Sequence, residues 1–340
     1  KANPLGILIV LSLVTAVFSA FLDNLTTVLL VVPIALLIVE KLHVSPYPFL
    51  FAQIFAANIG GTATLIGDPP NILIGSATGL TFTQFIIELG PVSVVLMIVM
   101  IPIFKWLWGK DLVATEERRA SIMRFQEADS ISDKRLLIKS LSVLVLVILG
   151  FIVGEHHGIR PGTTAMFGAA ILLFVTLVGK RSEEQSERVH AAFKEVEWDA
   201  LFFFMGLFVI VTGVEHAGLL NILGEALIKF TGGDPATTAY ATLWMSALVS
   251  AAVDNIPFVA TMIPLVESME VSLGGAEALE PVWWSLALGA CLGGNGSLIG
   301  AAANVMVSGM GERAGHPISF AKFLKIGLPL MLLTVAIAHL

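Results

Sequence analysis

The chain has 340 residues, of which 56% are hydrophobic and 13% charged, with a formal net charge of −7. A soluble domain carries about 25% charged residues, so this composition excludes a soluble enzyme and a basic nucleic-acid-binding module. A single cysteine, Cys291, excludes an internal disulfide, a multi-thiolate metal site and an iron–sulfur cluster.

What remains is an integral membrane protein. Long unbroken apolar runs, rather than ~10-residue alternation, make it helical and not an outer-membrane barrel. In chain order, 5–21 and 25–39 are two apolar arms around the polar tip Asp23-Asn24. A short helix at 47–59 runs into a glycine- and proline-rich break at 60–70 and a short continuation at 71–76. The segment 91–108 spans the bilayer. Two charged loops, 109–135 and 179–197, hold 12 and 9 of the 45 Asp, Glu, Lys and Arg residues. Between them lie spans at 136–153 and 161–178. After them come a span at 198–214, an amphipathic segment at 219–230, and arms 237–253 and 256–266 around the tip Asp254-Asn255. A short helix at 282–292, a break at 293–303, a continuation at 304–308 and a last span at 323–338 complete the chain.

The chain repeats itself. Ser19 to Thr27, with Pro33, matches Ser250 to Phe258, with Pro264, at an offset of 231. Gly60 to Gly67, with Asn71, matches Gly293 to Gly300, with Asn304, at an offset of 233. Lys and Arg concentrate in the two charged loops, which makes that side cytoplasmic. With the loops so placed, the tip Asp254-Asn255 belongs to a hairpin entering from outside, and the tip Asp23-Asn24 to one entering from inside. The expected fold is an all-α polytopic membrane protein. It has inverted-topology repeats, two re-entrant hairpins and two broken helices. Its parts are the first repeat's transport portion at 1–108, cytoplasmic loops at 109–135 and 179–197, and scaffold helices of the second repeat at 136–178. The rest of that repeat occupies 198–340, with its hairpin at 237–266 and broken helix at 282–308. By the same logic the first repeat lacks three scaffold helices, roughly 95 residues that would precede Lys1.

The chemistry follows from what a bilayer does not tolerate. Asp23 and Asp254 each interrupt an apolar stretch, where a carboxylate costs at least ~2.5–3.5 kcal/mol and marks a functional site. The adjoining Asn24, Thr26 and Thr27, and Asn255, begin the return arms. Unwound backbone at membrane depth lines a cavity or lies buried in protein. In the first break Gly60, Gly61, Thr62, Thr64, Asp68 and Asn71 offer oxygen ligands suited to a hard cation such as Na⁺. The second supplies Gly293, Gly294, Asn295, Ser297 and Asn304. Half-helix N-termini offer donors to an anion or a neutral oxyacid. Asp68 maps onto Ala301 in the second copy; it is a proton-carrying carboxyl, a cation ligand or a cap on the half-helix that follows. No residue pattern requires a cofactor. No Gly-x-x-x-x-Gly-Lys loop is present, which leaves a separate ATPase subunit open. An intramembrane aspartyl protease would carry Gly-x-Gly-Asp, which is absent, whereas a passive channel shares re-entrant hairpins with carriers.

These motifs, Ser19 to Thr27, Asn58 to Asn71, Asp254 to Pro264 and Ala290 to Ala301, resemble the ion transporter superfamily. They are most similar to its ArsB and P protein branch, relatives of NhaD antiporters and of citrate and dicarboxylate carriers. The resemblance implies a homodimer moving like an elevator in the lipid bilayer, the inner or plasma membrane of a bacterium. It implies a secondary active transporter of a small inorganic ion or oxyacid, of the arsenite or antimonite type, coupled to protons or Na⁺. A Na⁺/H⁺ antiporter is the near alternative and a citrate-type carrier the distant one. Dicarboxylate carriers have Ser-Asn-Thr at the tips where this chain has Asp23-Asn24 and Asp254-Asn255, and that difference weighs against a dicarboxylate.

Overall fold

The computed structural model describes residues 3–123 and 133–340. Lys1 and the middle of the first charged loop lie outside the described residues. The described secondary structure is helical, without strands. Six of the described helices are long and apolar enough to cross a bilayer: α1 (Pro4–Phe21), α2 (Asn24–Leu42), α5 (Phe82–Trp108), α7 (Lys134–Glu155), α10 (Trp198–His216) and α17 (Phe320–Ala338). A seventh, α8 (Pro161–Leu177), is shorter but apolar. Large apolar side chains such as Ile138, Met166, Phe202 and Val209 face outward, as a lipid solvent permits.

The chain divides into two compact units, residues 1–124 with 211–340, and residues 125–210. In the smaller unit α7 and α8 lie side by side. Gly168 faces Val147, Gly150 faces Thr164, and Lys139 Nζ donates to Val175 O at 2.9 Å. The second charged loop is not a loop. It contains α9 (Ser182–Lys194), joined to α8 through Gln185 Nε2, which donates to Leu177 O at 3.2 Å. Its charge obscured a helical period. Glu184 pairs with Lys180 at 2.8 Å and Arg188 at 3.2 Å, one turn away on either side. Lys180 first, then Arg188, holds the Glu184 carboxyl below its ordinary range. A further helix, α6 (Glu116–Met123), lies in the first charged loop.

The larger unit is built around two broken helices. The first is α3 (Tyr47–Thr62), a non-helical stretch, and α4 (Pro69–Thr78). The second is α15 (Ala276–Gly293), a single 3-10 turn Gly294–Gly296, and α16 (Ala302–Arg313). Helix α3 is buried from Pro48 through Thr62, polar residues included, so it is the core of the unit. Its Phe51 and Phe55 pack against Phe104, Trp108 and Phe323, with ring centroids 5.2–6.3 Å apart. Against the broken helices lie two hairpins, α1–α2 and α12 (Pro235–Ala252) with α13 (Asn255–Ser268). At the tips, Leu22-Asp23 and Val253-Asp254 leave helical geometry, which ends one arm and begins the next. At the base of the second hairpin Asp234 caps α12. Thr237 donates its hydroxyl and its N–H to the carboxyl and holds it below the usual range. That stabilisation is present at neutral pH and is lost as pH falls through the lowered value.

The two copies share their contacts as well as their letters. Ser19 Oγ donates to Ala57 O at 2.6 Å, and its counterpart Ser250 Oγ donates to Ala290 O at 2.7 Å. Gly60 lies on the backbone of Ala16, and Gly293 on that of Ala247. A Cβ at either glycine would collide with backbone atoms that cannot yield. Gly60→Ala and Gly293→Ala are therefore each expected to destabilise the unit by about 1–3 kcal/mol. A lowered melting temperature of the purified protein would register this, and unchanged melting would show that the hairpins do not need this approach.

Candidate functional site

The breaks, the hairpin tips and the cores of α3 and α15 meet in a buried polar centre. Asn58, Thr62, Asp68, Asn71, Asn295 and Asn304 are each 0% exposed, and Asn24, Asn255, Thr64 and Ser297 are at most 4% exposed.

Each break is braced by its own asparagine. Asn71 Nδ2 donates to Thr64 O at 2.9 Å, Thr62 O at 3.2 Å and Gly61 O at 3.5 Å. Asn304 Nδ2 donates to Gly294 O at 2.7 Å and Ser297 O at 2.8 Å. These amides satisfy carbonyls that the broken helix leaves without partners. Each of these carbonyls accepts one amide N–H and keeps a second lone pair. Thr62 and Thr64 are engaged too: their hydroxyls donate to Asn58 O at 2.8 Å and Ala20 O at 2.5 Å. Gly61 and Gly294 let the two ends of each break approach, at Gly67 and Gly300 respectively.

The copies then reach across to each other. Asn58 Nδ2 donates to Asn304 Oδ1 and Asn295 Oδ1, both at 3.0 Å, while Asn58 Oδ1 accepts from Asn24 Nδ2 at 3.2 Å. By the offset of 233, Cys291 is the counterpart of Asn58, and its Sγ reaches Asn71 Oδ1 at 3.4 Å. The first half of each broken helix thus orients the brace of the other. Asn58 and Cys291 are the functional candidates that sequence reasoning left out. The signal was available for Asn58, one of two amides, with Gln53, in an otherwise apolar helix and four residues before Thr62. Because it aligns with a cysteine, the repeat comparison passed over it.

Asp68 occupies the N-cap position of α4 but makes no side-chain cap bond. The first two residues of α4 are Pro69 and Pro70, which have no N–H to give, and the N–H of the third, Asn71, bonds the Asp68 backbone carbonyl at 3.0 Å. The carboxyl turns elsewhere. Its Oδ1 accepts from Asn255 Nδ2, on the tip of the other hairpin, at 3.3 Å; its Oδ2 has no hydrogen-bond partner by geometry, and the Cys291 thiol is the weak donor beside the carboxyl. The tip carboxyls Asp23 and Asp254 are half-buried caps. Asp23 accepts from Thr26 N at 2.7 Å and Thr26 Oγ1 at 2.5 Å, and Asp254 accepts from Ile256 N at 3.0 Å. Thr27 is fully buried with an unpartnered hydroxyl. Among the described residues no Lys or Arg is buried, so no buried cationic side chain compensates these carboxyls.

A polytopic helical bundle with discontinuous helices around a desolvated polar centre is the architecture of a membrane transporter. Comparison with known proteins agrees. The citrate transporter family (CitMHS) matches residues 1–289. A transporter of Mycobacterium tuberculosis is 43% identical over 338 residues, covering 99% of this chain and 76% of its own length. The 46 kDa membrane protein of Mycobacterium leprae is 41% identical over 336 residues, with the same coverage. The mouse P protein is 32% identical over 414 residues, covering 98% of this chain and 48% of its own length. The chain belongs to the citrate transporter family, and it is an integral, multi-pass membrane transporter.

Proposed function

We propose that the chain is a secondary active transporter that couples a proton or Na⁺, exchanged at Asp68, to the movement of a small inorganic ion or oxyacid of the arsenite type. The observation that carries this reading is the Asp68 carboxyl, fully buried, with one oxygen unpartnered by geometry and no buried Lys or Arg among the described residues. A buried carboxyl without such a partner is stable only when it is protonated or holds a cation. Exchanging that cation between the two sides of the membrane is the elementary act of coupling.

In this reading the two copies are inverted, the hairpins are re-entrant, and the polar centre crosses the membrane as one body against a dimeric scaffold. The cross-copy bonds from Asn58 and Cys291 favour such rigid movement, since neither break can shift without the other. Na⁺/H⁺ antiport is the second reading, favoured by the three carboxyls Asp23, Asp68 and Asp254 gathered around one centre. A citrate-type carrier has the family's description in its support and, against it, the lack of a buried Lys or Arg among the described residues.

Proteoliposomes holding the chain, tested side by side with arsenite, antimonite, citrate, Na⁺ and protons, separate these readings. Saturable oxyacid flux driven by a proton or Na⁺ gradient is the expected result. Na⁺-dependent proton movement with no second solute would establish the antiporter instead. Asp23→Asn and Asp254→Asn are each expected to abolish coupling while the protein remains folded; full coupling in both would reduce these residues to caps.

A further inference from the structure

The two breaks are equivalent in backbone and opposite in what they leave unsatisfied. In the first, the unpartnered buried group is a carboxylate oxygen, Asp68 Oδ2, which can only accept while ionised. In the second, the unpartnered groups are Asn295 Nδ2, which can only donate, and Ser297 Oγ, a hydroxyl. Both residues are at most 2% exposed, where an unmade hydrogen bond is costly. The half-helix N-termini differ in the same sense. Helix α4 opens on Pro69-Pro70 and presents no N–H in its first two positions. Helix α16 opens on Ala302-Ala303, whose N–H groups have no intrahelical partner by position, and its N-cap Ala301 supplies no side chain to cap them. The second break is tied to this helix start through Asn304, the third residue of α16, which donates to Ser297 O.

We infer that the copies have divided the work. The first break, through Asp68, holds the coupling cation. The second, through Asn295 Nδ2, Ser297 Oγ and the first N–H groups of α16, binds the oxygen atoms of the carried oxyacid or its anion. Replacing Asp68 by its counterpart Ala301 removes the charge that would repel an anion, and replacing two prolines by alanines restores the donors that would bind it. The assignment rests on the transporter reading but adds to it the location and chemical class of the second ligand.

The test uses purified chain in detergent and equilibrium dialysis with three probes, arsenite, phosphate and citrate, alongside radioactive Na⁺ and proton release. Asn295→Asp keeps the Oδ1 that accepts from Asn58 and turns the donor into a charge. Ser297→Ala removes a hydroxyl that no protein group uses. Saturable binding of at least one probe to the wild type is expected. A loss of affinity of about tenfold is expected in Ser297→Ala, and a larger one in Asn295→Asp. Asp68→Asn is expected to lose cation binding instead. Unchanged probe affinity in both second-break variants, or no binding of any probe to the wild type, overturns the inference. Failure of the transporter reading has a different signature, cation binding that survives in Asp68→Asn.

Discussion

Asp68→Asn is expected to reduce gradient-driven transport by roughly 100-fold or more while leaving the protein folded. The substitution preserves shape, and the bond from Asn255 Nδ2 finds the same oxygen at position 68. What disappears is the capacity to bind a proton or cation. The position is unusual because its two roles have been separated by sequence. A carboxylate at a helix start normally accepts from the N–H of the second or third helical residue; here the second is Pro70 and the N–H of the third, Asn71, bonds the Asp68 backbone carbonyl, so the carboxyl makes no cap bond and accepts from Asn255 instead. A structural carboxyl would give the opposite outcome in a flux assay with melting temperature in parallel: lowered stability and retained coupling.

Asn58→Ala is expected to give the largest loss of stability of any single polar substitution in the centre. It strands Asn24 Nδ2, Asn295 Oδ1 and Asn304 Oδ1 in a fully buried place. At about 1–3 kcal/mol for each buried group left unpaired, and with coupling among neighbours, the sum is roughly 3–5 kcal/mol. Cys291→Ala removes only weak sulfur contacts, to Asn71 and toward Asp68 and Thr62, from the corresponding place and is expected to cost far less. Thermal melting of the two variants compares the halves directly. Equal and small losses would mean that the copies are not braced through these side chains.

Much of this was legible in the sequence, and what was not has physical causes. The apolar runs, the tips at Asp23 and Asp254 and the location of both breaks follow from a bilayer that punishes charge and unsatisfied backbone. Helix ends are the least legible feature. Pro91 suggested the start of a span, whereas α5 begins at Phe82 behind a capping box of Thr81 and Gln84, a pattern of ordinary polar residues. The charged stretch at 179–197 concealed α9 because a solvated helix has no apolar stripe wide enough to notice. At the site, the residue types were legible but their division into braces and ligands was not. Asn71 and Asn304 offer the same atoms as any ligand, and only the fold shows that their amides are turned onto break carbonyls. Asp68 was readable as a cap, a ligand or a proton carrier, and the geometry of a Pro-Pro helix start leaves its carboxyl uncommitted to capping.

The central claim, that an uncompensated buried carboxyl couples a cation to a carried solute, is tested most directly by solute-driven proton and Na⁺ movement. This would be measured in sealed proteoliposomes containing the wild-type chain or Asp68→Asn. The account predicts a saturable cation flux that follows the solute gradient in the wild type and vanishes in the variant. A flux that does not saturate, ignores the imposed gradient and persists in Asp68→Asn would contradict it.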